Sequence, residues 1–183
     1  MKNKRSRYFE IAAEHSAGLR MIVILPPVKE RPAGTVMRGR AIPELGVIMV
    51  RRPDTLDRLR LFLHECGHCK LHQRVRPGTP YHWLELDAER YAFAALQKGG
   101  LEIPEKTLEE SRYYLFGELG PAVRAGQELH PEVFDYIGPF WTEWIKNLIA
   151  RQESGELKQT TEFLRAGTGF VSRAVLETQT GTN

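Results

Sequence analysis

Cysteine is almost absent: the 183-residue chain has two, both inside the stretch "HECGHC" at residues 64–69. That excludes the disulfide framework on which small secreted domains depend. Long hydrophobic runs are also missing. The longest, such as "MIVIL" and "GVIMV", suit short strands and fall far below the roughly 18–20 apolar residues that span a bilayer. The basic opening "MKNKRSRYFEIAAEH" leads through that short run into "PPVKERP", with no small-residue cleavage site, so no secretory leader is expected. A strong charge of one sign is absent too. The net charge is +3, with Lys and Arg scattered from end to end, so neither a membrane surface nor direct nucleic-acid binding is expected. There is no internal repeat and no low-complexity tract. Together these absences point to a cytoplasmic protein.

What is present is the composition of a folding globule, 42% hydrophobic and 27% charged. Residues 6–18 read as a helix. Three β-type runs follow, at 21–25, 35–42 and 47–50, separated by turn-rich sequence. Asp54 or Thr55 can cap a helix reaching to about Gln73, and a second long helix fits 82–97 before Gly99-Gly100 stops it. Beyond residue 102 the pattern is helical. Pro104 opens a helix, Gly120-Pro121 and Gly138-Pro139 interrupt, and "FWTEWIKNLIARQ" and "ELKQTTEFLRA" are amphipathic. The expected fold class is α+β. A small, mostly antiparallel sheet of about three strands packs on the helix bearing "HECGHC" and on a second ligand-bearing helix. Residues 1–102 form the core and 103–183 a helical extension packed on it, with the last few residues frayed. Phe140, Trp141 and Trp144 read as core or as a cover over the sheet.

Two chemistries are written across "HECGHC". The cysteines spell a dithiol redox motif, and "CGHCK" resembles the active-site stretch of protein disulfide isomerases. Such a motif needs its first cysteine at a helix N-terminus, directly after a buried strand. Here the preceding "LDRLRLFLHE" places Leu56, Leu59, Leu63 and Cys66 at helical spacing, so the cysteines fall inside a helix, on its leucine side. His64 and His68 are one turn apart, about 40° around the axis, a geometry by which two imidazoles hold one metal ion. Gly67, mid-helix, costs about 0.8–1 kcal/mol against alanine and signals a close neighbour. The second helix offers a matching stripe, Glu85, Ala88, Ala92 and Ala95. If that stripe packs on the histidine face, Glu85 arrives as a third ligand, leaving a fourth position for water. Asp87 lies about 200° from Glu85, so only one of the two can face the metal, whereas Glu89, about 40° away, can orient a ligating imidazole from behind.

Together, "HECGHCKLH" at 64–72 and "ELDAERYA" at 85–92 resemble the ImmA/IrrE family of zinc metallopeptidases, whose pattern is HELGHxxLH followed by ExEAxxFA. The likeness covers residues 61–95 and departs from the pattern at Cys66, Asp87 and Tyr91. The resemblance implies Zn2+ held by His64, His68 and Glu85, with Glu65 as general base. The Asp87 departure leaves open whether Glu85 or Asp87 is the third ligand. It also implies a separate protein or peptide substrate such as a helix-turn-helix repressor, in mobile elements or stress responses. His72 matches the family's trailing histidine and is expected at the helix C-terminus or behind a ligand. Tyr113, Tyr114 and His130 are the candidate oxyanion donors. The strand at 47–50 is expected to be the sheet edge that takes a peptide. The alternative to a peptidase is a non-catalytic regulatory or toxin-like binding module that keeps the same fold.

Overall fold

The computed structural model describes residues 3–23 and 39–156. The protein is α+β, with five helices and one three-stranded sheet among the described residues. Helix α1 (Lys4–Ser16) is capped by the Asn3 side chain and leads into strand β1 (Arg20–Val23). Strands β2 (Arg40–Ile42) and β3 (Val47–Val50) are followed by α2 (Leu56–Leu71), α3 (Tyr81–Lys98), α4 (Glu105–Arg124) and α5 (Val133–Glu153). None of these helices is long and apolar enough to cross a membrane. The expected helix at "ELKQTTEFLRA" and the frayed terminus lie outside the described residues.

The sheet is mixed, in the order β1-β3-β2. A single 3-10 turn, Pro43–Leu45, folds β2 back antiparallel onto β3, with Ala41 opposite Ile48. Gly46 closes the turn at φ 59°, a left-handed conformation that glycine adopts without a Cβ penalty. β1 lies on the other side of β3 and runs parallel to it. The mostly antiparallel expectation is therefore half right. The strand at 47–50 is central and not an edge, which corrects the expected docking edge: among the described residues the edges are β1 and β2. Its central place explains its burial, with Val47, Ile48 and Val50 all in the core.

The chain divides into two compact units, Met1–Ser111 and Arg112–Asn183, with the boundary inside α4. The first unit is organised by α2. Thr55 caps it, the side-chain oxygen accepting the Arg58 amide at 3.3 Å. Leu59, Leu63 and Cys66 are fully buried, as their helical period requires, and Cys69 donates its thiol proton to the Val47 carbonyl of β3. Against α2 lies the small-residue stripe of α3, with Ala88, Ala92 and Ala95 buried. A Cβ on Gly67 would sit 3.1 Å from the Ala88 Cα and 3.2 Å from the Tyr91 Cβ. The glycine is there because the α3 backbone is.

In the second unit, α4 continues through Pro121, so the interruption expected at Gly120-Pro121 does not occur. Proline removes one hydrogen bond, and here it falls in the last turn, where little helix remains to be broken. At Gly138 the break is real: φ 79° and ψ 171° kink α5 ahead of Pro139. Phe140 and Trp144 are about half exposed and so are not core, while Trp141 packs on Phe116 with ring centroids 4.5 Å apart.

Candidate metal centre

Helix α2 presents His64 and His68 on the side facing α3, their Nε2 atoms 3.1 Å apart. Glu85, fully buried on α3, straddles them: one carboxylate oxygen is 3.2 Å from His64 Nε2 and the other 3.3 Å from His68 Nε2. One donor atom from each residue lies within 4.8 Å of the others, and the group can hold a metal ion. The size is appropriate for zinc. Ligands about 2.0–2.1 Å from a tetrahedral ion stand about 3.3 Å from one another. Asp87 is not in this group. Its half-exposed carboxylate lies 3.5 Å from His72 Nε2 instead, so of the two acids left open by the sequence it is Glu85 that meets both imidazoles.

The site gathers buried ionisable groups. Glu65, Glu85 and Glu89 are all buried, and Arg60, itself buried, pairs with Glu89. Buried carboxylates need compensation, which a bound cation or protonated imidazoles can supply. Burial opposes charge on His64, but its contacts with Glu85 and Glu89 outweigh it and push the imidazole up to about 10. Glu85 is held well below the usual carboxylate range by the same two histidines, against its burial. Burial, with the Glu85 charge adding to it, pushes the Glu65 carboxyl up, opposed by His64, His68 and a backbone hydrogen bond at Ala41 of β2. Gly39, just before β2, makes room for Glu65: a Cβ there would sit 2.6 Å from its Oε1.

Behind His64, Nδ1 meets Glu89 Oε1 at 3.0 Å. Glu89 is itself held by Arg60, whose Nη1 donates at 2.7 and 2.8 Å, and by the Ser111 hydroxyl. Burial raises the Glu89 carboxyl, but His64, Arg60 and Ser111 together bring it down to about 2. The expected orienting role of Glu89 thus has a geometric basis. Arg60 was missed in the sequence, although Arg60, His64, His68 and His72 recur every four residues along one stripe. Ser111, distant in sequence, carried no signal at all. His72 is the buried C-cap residue of α2, its Nδ1 3.0 Å from His68 Nδ1, and burial and the neighbouring His68 keep its pKa low. Tyr113, Tyr114 and His130 belong to the second unit. There Tyr113 packs near Trp141, and His130 Nδ1 accepts the Glu132 amide.

Both cysteines are free and fully buried in the body of α2. Burial pushes the Cys66 thiol up to about 12 and raises Cys69 as well. Neither offers the exposed thiolate that dithiol exchange requires.

No known family, curated protein or solved structure matches the chain.

Proposed function

We propose that the protein is a zinc-dependent endopeptidase of the ImmA/IrrE type, acting in the cytoplasm on a regulatory protein such as a helix-turn-helix repressor. The observation that carries this reading is the convergence of His64, His68 and Glu85 within 3.3 Å contacts, with a buried, proton-affine Glu65 beside them. The motif resemblance supplies the reaction class and the substrate class.

Zinc, when bound, supplies a Lewis acid for the peptide carbonyl and acidifies an attacking water. Glu65 would accept a proton from an attacking water and pass it to the leaving amine, a task suited to a carboxylate whose pKa is raised by burial. Glu89 and Arg60 hold the His64 ring so that its Nε2 faces forward. Edge strand β2 supports the same reading. It bonds Glu65 through Ala41, and a substrate strand added along its outer edge, unpaired among the described residues, would run past that carboxylate.

The test is metal content of the purified protein, with and without His64→Ala, together with cleavage of a helix-turn-helix repressor by wild type and Glu65→Gln. Stoichiometric zinc lost in His64→Ala, and cleavage lost in a zinc-replete Glu65→Gln protein, support the proposal. A zinc-free wild type never exposed to chelator overturns it. A Glu65→Gln protein that keeps full biological function favours the binding module.

A further inference from the structure

The two histidines of the candidate centre are backed in different ways. Behind His64 stands a carboxylate, Glu89, which can only accept a proton. Behind His68 stands another imidazole: His68 Nδ1 and His72 Nδ1 are 3.0 Å apart. Two ring nitrogens facing each other at that distance share one proton, so one must donate and the other accept. A neutral imidazole that commits its Nε2 lone pair to a metal carries its proton on Nδ1. His68 is then the donor, and His72 must accept at Nδ1 and carry its own proton on Nε2. That nitrogen is buried and makes no hydrogen bond of good geometry, and Asp87 Oδ2 stands 3.5 Å from it, placed to accept once the proton is on Nε2.

We propose that His72 and Asp87 are positioning residues for His68, with Asp87 selecting the Nε2–H form of His72 so that His72 accepts from His68 and turns the His68 Nε2 lone pair toward Glu85 and His64. Of the chain His68, His72, Asp87, only the last reaches solvent substantially, its side chain being 48% exposed. The pair thus plays for His68 the part that Glu89 plays for His64, but through one more ring. It explains why an acid sits at position 87 although it is turned away from the metal ligands. The inference rests on the metal-binding part of the proposed function and not on peptidase activity.

The test reads metal directly. Zinc affinity is measured by competition with a chromophoric chelator, and the visible spectrum of the cobalt(II)-loaded protein is recorded, for wild type, His72→Phe, His72→Gln and Asp87→Ala, with thermal melts of the metal-free proteins as the fold control. His72→Phe removes the acceptor and should weaken zinc binding about 10- to 100-fold. His72→Gln, whose amide oxygen can accept, should recover most of that loss and keep the wild-type cobalt spectrum. Asp87→Ala, at a half-exposed position that should not disturb folding, removes the acceptor for His72 Nε2 and should weaken zinc several-fold with the apo melting temperature unchanged. Equal weakening in the Phe and Gln variants, or an Asp87→Ala protein with wild-type affinity, overturns the inference while leaving zinc binding by the wild type intact. A wild type that binds neither zinc nor cobalt overturns the metal reading and this inference with it.

Discussion

Helix α2 has two buried faces with opposite chemistries. One carries Leu59, Leu63, Cys66 and Cys69, all fully buried, with Cys69 bonded to β3; the other, toward α3, presents Arg60, His64 and His68, the first two buried and His68 nearly so. Fractional exposure hardly separates the faces. Charge does: the first carries none, whereas on the second Glu85 and Glu89 of α3 meet the imidazoles and Arg60 pairs with Glu89. Buried ionisable groups are costly unless each is compensated, which is why the second face and not the first is the place to look for a ligand.

Substitutions on the two faces should therefore differ in kind. The largest effect is expected for Glu85→Ala, which should abolish stoichiometric zinc as read by elemental analysis; retention of one zinc per chain would break the contrast. Glu65→Gln should keep the metal and reduce peptide cleavage by about 10²–10⁴-fold, the usual range for a general base. Arg60→Met should cost about 3–5 kcal/mol in urea unfolding, because it strands the buried Glu89 carboxylate. Gly67→Ala tests how closely the faces are drawn to their neighbours. Overpacking against the α3 backbone, about 1–3 kcal/mol, should exceed the ~1 kcal/mol gained in helix propensity, and metal affinity should fall as Glu85 is pushed away. On the leucine side, Cys66→Ala should cost only about 1 kcal/mol and leave zinc content unchanged. Both thiols should resist alkylation until the protein unfolds, since both are fully buried.

Much of this arrangement was legible beforehand because α-helical phase is a local property. The spacing of Leu59, Leu63 and Cys66 against His64 and His68 sorted α2 into its two faces, and the alanines after Glu85 marked α3 as a helix that another backbone could approach. Gly67 and Ala88 meet as that reading required. Strand order was not legible. Short strands of four residues or fewer carry no partner information, and the parallel pairing of β1 with β3 depends on how the chain returns between them. The same holds for Ser111 on Glu89: a single serine 22 residues away announces nothing until α4 is packed.

The sequence by itself determined which residues share a helix face, because 3.6 residues per turn leaves no choice. It therefore determined that the histidines and the cysteines of "HECGHC" point to different surroundings. Only the tertiary structure decided between Glu85 and Asp87, placed Arg60 and Ser111 behind Glu89, and made β2 the strand beside Glu65. Those outcomes depend on how separate elements dock. Docking is settled by burial and charge compensation summed over the whole unit, and no local pattern encodes that sum.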